Sequence, residues 1–215
     1  MKERRLLFHF HTYYSFDASI TLRQLARAVE KHEITHVAIT EHNNLKSYRP
    51  ACEYFERMGV VCELIPACEY TTDVGDIIVL FCDQQLVFDD YRDLLAQAKE
   101  RDAVTCLPHP YKRAEYPEDL VNDIDLYEAV NFRGADKSFD RRPWRGKNHI
   151  FAADAHNFFD LPGIINLYPG GGKMIDVIRR ETPFPLIARD DLRLTNRLSK
   201  LASKLKKRVH PYLPF

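Results

Sequence analysis

Leu6-Leu7-Phe8-His9-Phe10-His11 is the stretch whose reading decides how the rest of the chain is understood. It forms a short apolar run, and side chains two apart on a strand share a face. His9 and His11 are therefore expected side by side at the C-terminal end of a first strand. They would offer two neutral nitrogen ligands suited to a borderline-soft divalent metal. Alone, such a pair is more often chance than a metal site. Its weight comes from the ligand-type residues that recur at the ends of later apolar runs.

Those runs, rich in β-branched residues, lie at 36–40, 60–67, 77–82, 104–107, 126–130 and 150–153. Most are separated by helical patterns. Leu22, Leu25, Ala26 and Val29 make an apolar stripe after Thr21, 48–58 is stopped by Gly59, and 90–101 carries Tyr91, Leu94, Leu95 and Ala98 on one side. Alternating strands and helices argue for a parallel α/β sheet or barrel. The stretch 71–76 is too short for a helix, so the third and fourth strands are expected to join tightly. Residues 119–125 and 134–148 read as loops with short helical pieces. Pro162-Gly163 and Pro169-Gly170-Gly171-Gly172 punctuate a less regular region. From Asp190 the pattern turns helical and basic, ending Lys204-Leu205-Lys206-Lys207-Arg208, usually the mark of a solvated face. The expected division is a barrel domain over 1–189 and a basic C-terminal helix or tail over 190–215 packed on it.

The bulk composition narrows the function classes. A chain of 215 residues supports one sizeable core. Its 31 basic and 31 acidic side chains cancel, which argues against a long nucleic acid as partner. Cys52, Cys62, Cys68, Cys82 and Cys106 contain no C-x-x-C pair and mostly fall in apolar runs, as reduced core thiols of a cytoplasmic protein would. No apolar stretch has the length of a signal sequence or a membrane span. Oligomeric state is left open.

The polar residues that could carry chemistry sit just past the expected strand ends. His9 and His11 follow the first, Thr40-Glu41-His42-Asn43 the second, Glu69 the third and Pro108-His109-Pro110 the fifth. Glu128 and Asn131 lie at the sixth, and Asp154-Ala155-His156 closes the seventh. In α/β barrels the C-terminal rim is where active sites assemble. A rim of His, Asp and Glu makes an oxygen and nitrogen cage for several divalent ions. Asp17, in the loop after the first strand, can join it.

These residues resemble the PHP (polymerase and histidinol phosphatase) domain family. Its ordered motifs read here as His9-Phe10-His11-Thr12-Tyr13-Tyr14-Ser15-Phe16-Asp17, Thr40-Glu41-His42, Glu69, His109-Pro110 and Ala153-Asp154-Ala155-His156. Each is short, but five in order over about 6–156 make the match specific. The resemblance implies a distorted (β/α)7 barrel with its metal site at the C-terminal ends of the strands. It implies three subsites: His9, His11, Glu69 and Asp154; Glu69 and His109, with the carboxylate bridging; and Asp17, His42 and His156. The family usually supplies a further histidine to the second subsite near position 78, where this chain has Ile77-Ile78-Val79. Glu41 replaces the Asp of T-D-H and Ala153 the Ser before Asp-Ala-His; neither position is a ligand in the family pattern.

Two or three divalent ions, Zn, Mn or Fe, are the cofactors implied. A divalent ion lowers the pKa of bound water from about 16 to roughly 7. The leading expectation is hydrolysis of a small phosphoester by the hydroxide so formed. Asp154 would orient or deprotonate the attacking water, and His156 would assist the leaving group. Arg133, directly after a rim strand, is the best candidate to neutralise phosphate. Lys112, Arg113, Arg141 and Arg142 also lie in rim loops and read mostly as solvated. Glu128 and Asn131 read as residues that orient ligands. The rival readings are metal-dependent cleavage of an amide and a metal-binding module without turnover.

Overall fold

The computed structural model describes residues 3–134 and 140–188, together with Lys204. All seven expected strands are present: β1 (Arg4–Phe8), β2 (His36–His42), β3 (Glu63–Thr72), β4 (Gly75–Leu80), β5 (Val104–Leu107), β6 (Leu126–Asn131) and β7 (Asn148–Ala152). Two more, β8 (Ile164–Tyr168) and β9 (Phe184–Ile187), follow in the region read as irregular. The described strands form one nine-stranded sheet in the order β7-β6-β5-β4-β3-β2-β1-β8-β9. The strand–helix alternation is therefore not the simple sevenfold one expected. β4 returns antiparallel from β3 through a tight hairpin, as the short 71–76 link requires, and β8 runs antiparallel to β1.

The sheet nearly closes on itself along β1. The lower part of β1, Arg4 to Leu6, pairs with β8. Past β1 the chain pairs with the continuation of β7: Phe10 bridges Ala155 in parallel, and the His11 amide donates to the Ala155 carbonyl at 2.8 Å. The Asn166 side chain ties β8 to β7, accepting from the Phe151 amide at 2.9 Å and donating to its carbonyl at 2.7 Å. That amide does the work of a missing ladder rung, because buried backbone groups must be paired.

Helices α1 (Leu22–Lys31), α2 (Tyr48–Met58), α3 (Tyr91–Glu100) and α4 (Glu118–Asp123) pack outside the sheet. Thr21 begins α1 through a capping box with Gln24, and Asp90 caps α3 by accepting from the Arg92 and Asp93 amides. Gly59 ends α2 in the left-handed conformation, φ +68°, that favours glycine. Alternate residues of the strands face inward. Leu6, Phe8, Ala38, Ile65, Ile78, Leu80, Val104, Cys106, Leu126 and Ile150 form a continuous interior cluster. A fifth helix, α5 (Met174–Arg180), plugs one end of it with Met174, Val177 and Ile178. Arg179 anchors the plug by donating to the carbonyls of Asp102 and Ala103, which precede β5. The end left for polar residues is the opposite one, at the C-terminal ends of the parallel strands.

All five cysteines are free, with Cys68, Cys82 and Cys106 buried. Among the described residues no helix is long and apolar enough to cross a membrane. The basic stretch expected to pack on the barrel, 190–215, lies outside the described residues except for Lys204.

Candidate metal centre

The interior cluster changes from hydrocarbon to His, Glu and Asp within one layer of side chains. Leu6 and Phe8 face inward and Leu7 outward, so simple alternation would turn His9 outward with Leu7. It does not, because β1 ends at Phe8 and His9 takes a left-handed backbone, φ +52°. This reverses the phase: Phe10 packs outside with Ala153 and Ala155, while His9 and His11 meet inside, ring centroids 5.4 Å apart. The expected shared face is right, but an uninterrupted strand to His11 is not. His109 (φ +38°) and Asp154 (φ +44°) also hold left-handed backbones. For non-glycine residues each such conformation costs about 1–3 kcal/mol, so strain gathers at three residues of one cluster.

Glu69 is the centre of that cluster. It lies inside β3 rather than after it, because the β3–β4 hairpin carries pairing on to Thr72. Its Oε1 is 2.9 Å from His109 Nε2 and 3.5 Å from His9 Nε2. Its Oε2 is 3.1 Å from His42 Nδ1 and 3.4 Å from His11 Nε2. Asp154 Oδ1 stands 3.7 Å from His9 Nε2 and 3.8 Å from His11 Nε2. Asp17 is 3.3 Å from both His42 Nε2 and His156 Nε2. His11, with ring centroids 4.2 Å from His42 and 4.3 Å from His156, joins the two groups.

All eight residues singled out as ligands thus converge, with three groupings compact enough to hold an ion: His9, His11 and Asp154; His9, Glu69 and His109; and His11, His42 and His156. The donor set fits divalent metal on a further ground. Among the described residues, His9 Nε2 and both ring nitrogens of His11 are buried without a hydrogen-bond partner. A buried polar atom without a partner is costly, of order 1–3 kcal/mol, and metal coordination would offset that cost.

The surroundings orient these ligands. His9 Nδ1 bonds the Glu128 Oε1, directing Nε2 toward Glu69 and Asp154. Glu128 Oε2 accepts from the His109 amide at 2.7 Å and from Asn131 Nδ2 at 2.9 Å. Asn131 Nδ2 also lies 3.2 Å from Asp154 Oδ2. The orienting roles expected of Glu128 and Asn131 match these contacts.

Two residues do more than the sequence suggested. Glu41, buried, receives the Thr12 amide and the hydroxyls of Thr12 and Ser15. It shapes the loop that carries Asp17. Asp160 accepts from the amides of His156 and Asn157, fixing the turn that presents His156. The signal for Glu41 was its place in a T-E-H motif beside the Thr12-to-Ser15 hydroxyls; Asp160 left none that a sequence shows.

Charge in the cluster follows from its packing. Burial opposes ionisation of Asp154, yet His9, His156, Arg133 and His109 hold its carboxyl down at about 2. Glu69 and Asp17 are likewise lowered against burial, Glu69 by His9, His109 and His42, Asp17 by His156 and His42. Burial resists charge on His42, but Asp17 and Glu69 overcome it and raise that imidazole to about 10. His9 is raised against burial by Glu128, Glu69 and Asp154. Burial, together with His156 and His42, pushes His11 down.

Of the loop cations, Arg142 pairs with Asp140, Arg113 donates to the Asp73 carbonyl, and Arg141 to the Ala129 carbonyl. Lys112 contacts the cluster at His109. Among the described residues Arg133 Nη1 is buried without a hydrogen-bond partner, and its charge helps to lower the Asp154 carboxyl.

The model of the PHP domain matches residues 8–132, more than half the chain. The chain belongs to the PHP family. Solved structures agree on the fold. A two-domain protein from Bacteroides vulgatus containing a predicted PHP-like metal-dependent phosphoesterase matches with a TM-score of 0.69 at 15% identity, over 92% of this chain and 70% of that one. PsfC from Pseudomonas syringae matches at 0.67 and 12% identity, over 97% and 100%. A lesion-specific endonuclease from Pyrococcus furiosus matches at 0.59 and 15%, over 83% of this PHP chain and 55% of its own length. No curated protein matches the chain in sequence.

Proposed function

We propose that this PHP protein hydrolyses a small phosphoester, a phosphomonoester or nucleotide, with divalent ions held by seven of the eight expected ligands, His9, His11, Asp17, His42, Glu69, Asp154 and His156, while the eighth, His109, faces Lys112. One observation carries the reading: among the described residues, His9 Nε2 and His11 Nε2 are buried without hydrogen-bond partners and stand 3.7 and 3.8 Å from Asp154 Oδ1, a carboxylate that the Arg133 charge helps to keep ionised. The imidazoles call for a metal and the guanidinium for an anion. The similarity to a protein containing a predicted metal-dependent phosphoesterase supports it.

Bound ions, of Zn, Mn or Fe by their ligand set, would supply an acidified water and neutralise phosphate charge. The protein's own groups do the rest. Arg133 donates to a nonbridging phosphoryl oxygen. Asp154, with a carboxyl near 2, is a weak base at neutral pH. That argues for orienting the attacking water rather than removing its proton. Asn131 Nδ2, 3.2 Å from Asp154 Oδ2, keeps the carboxylate from turning. His156, whose Nε2 lies 3.3 Å from Asp17 Oδ2, would assist the leaving group. The free thiols suit a reducing cytoplasm.

The test is phosphate release from a panel of phosphomonoesters and nucleotides, using protein loaded with Mn²⁺ or Zn²⁺. Asp154→Asn should lower turnover about 10²–10⁴-fold, the range for removing a group that handles the reacting water. A loaded parent without turnover on any phosphoester would return the chain to the amide-cleaving or non-catalytic reading.

A further inference from the structure

We propose that Lys112 is the resident cation of the second subsite, standing beside His109 in place of a metal ion and binding a phosphoryl oxygen of the substrate. This deepens the metal-centre reading above and rests on it.

The second grouping, His9, Glu69 and His109, is the poorest in donors of its own. His9 also faces Asp154, and Glu69 also faces His11 and His42, so only His109 belongs to it alone. The strand that could add a ligand is β4, whose Ile78 pairs in register with Glu69 and packs into the hydrocarbon interior. A catalytic zinc ordinarily takes three protein ligands, and here two of the three are shared with neighbouring groupings.

A cation is already at hand. Lys112 Nζ is 3.3 Å from His109 Nε2, the same nitrogen that approaches Glu69, and 3.5 Å from Asp76 Oδ2. Asp76 lies on the other side of the ring, 4.0 Å from Nδ1, and so does not complete a ligand set around Nε2.

The backbone builds this placement. With His109 in the left-handed region, the chain makes one tight turn through Pro110 and Tyr111, closed by the Lys112 amide donating to the His109 carbonyl at 2.9 Å. The Lys112 side chain is thereby brought back over the imidazole three residues earlier. Tyr111 braces the turn: its hydroxyl reaches Asn131 Oδ1 at 3.4 Å, and its ring fills the space where a Cβ on Gly134 would lie, 2.1 Å away. The turn thus fixes the backbone from which the Lys112 side chain reaches His109.

The ammonium is also exposed enough to meet a ligand. About half of the Lys112 side chain is open to solvent, whereas His109 and Glu69 are buried. It has three donors and, among the described residues, two partners, one imidazole nitrogen and one carboxylate oxygen. Lys112 on the β5 loop and Arg133 after β6 would thus hold the phosphoryl group between them. A divalent ion on His109 Nε2 would have to share its surroundings with this like charge.

The experiment counts metal per chain by plasma mass spectrometry after loading with excess Mn²⁺ or Zn²⁺ and gel filtration. Calorimetry then measures inorganic phosphate binding to the loaded protein. The parent is expected to hold no more than two ions. Lys112→Met should leave bound ions in place and weaken phosphate at least tenfold, while Lys112→Arg should stay within a few-fold of the parent. The side chain is half exposed, so neither substitution threatens folding. Three ions in the parent, or unchanged phosphate affinity in Lys112→Met, overturns the assignment to Lys112 and leaves the phosphoesterase reading standing. A parent that takes up no ion overturns both.

Discussion

His9 and His109 face each other with ring centroids 5.4 Å apart, and they mark the boundary between two unlike halves of one rim. On the β1, β2 and β7 side, imidazoles from three strands surround Asp17, Glu69 and Asp154, with nitrogens left without partners. On the β4 and β5 side, the same Glu69 meets one imidazole, His109, pairs in register with an isoleucine, and has a lysine only by way of that imidazole contact. A carboxylate common to both halves cannot make them different. What differs is β4, which contributes hydrocarbon where its neighbours contribute ligands. A metal centre is thus graded around a barrel by which strands present donors at the layer above the core.

Removing the shared carboxylate should break the comparison most severely. Glu69→Gln leaves the imidazoles of both halves without their common anion. Breaking a buried ion pair in this way costs about 3–5 kcal/mol. Urea unfolding of the metal-free variant at neutral pH is the check; a loss under 1 kcal/mol would mean the two halves are not coupled through Glu69.

A milder change sharpens it. Glu128→Gln disturbs the bond that sets the His9 ring, together with the acceptor of the His109 amide and of Asn131 Nδ2, and so acts on the ligands through their orientation. Such outer contacts are worth about 10–100-fold in metal affinity, measurable by competition with a chromophoric chelator. An affinity equal to the parent's would show that His9 is held in place without Glu128.

The smallest effect is protonic. His42 in the metal-free protein is raised from 6.5 to about 10. Its charge therefore stabilises the fold fully below about 6.5 and ceases to do so as pH rises through about 10. A metal ion must displace that proton. Loading at pH 8 should release protons into the buffer, seen by calorimetry in buffers of different ionisation heat, and affinity should climb with pH toward 10. Release that is absent at pH 8 would place His42 outside the metal-binding half.

Much of this was legible in the chain. The seven strands, the boundaries of α2 and the tight β3–β4 link follow from apolar runs, a glycine stop and a short connection, all local signals. The converging residues were legible because strand ends on one rim recur as motifs. The strands β8 and β9 were hidden behind glycine and proline punctuation, and α5 gave no pattern long enough to read. The inward turn of His9 was hidden as well, since alternation counts residues and does not register a left-handed one.

By itself, the sequence determined the alternating hydrocarbon of the barrel wall and the kinds of donor available at its mouth. These depend only on residue type and period. The tertiary structure decided which donors share an ion, that Glu69 spans both halves, and that Lys112 turns back onto His109 rather than into solvent. Those outcomes depend on a backbone phase reversal at His9, on pairing between strands far apart in sequence, and on a turn braced by a tyrosine against a glycine. Each is a relation between segments, fixed only when the sheet closes.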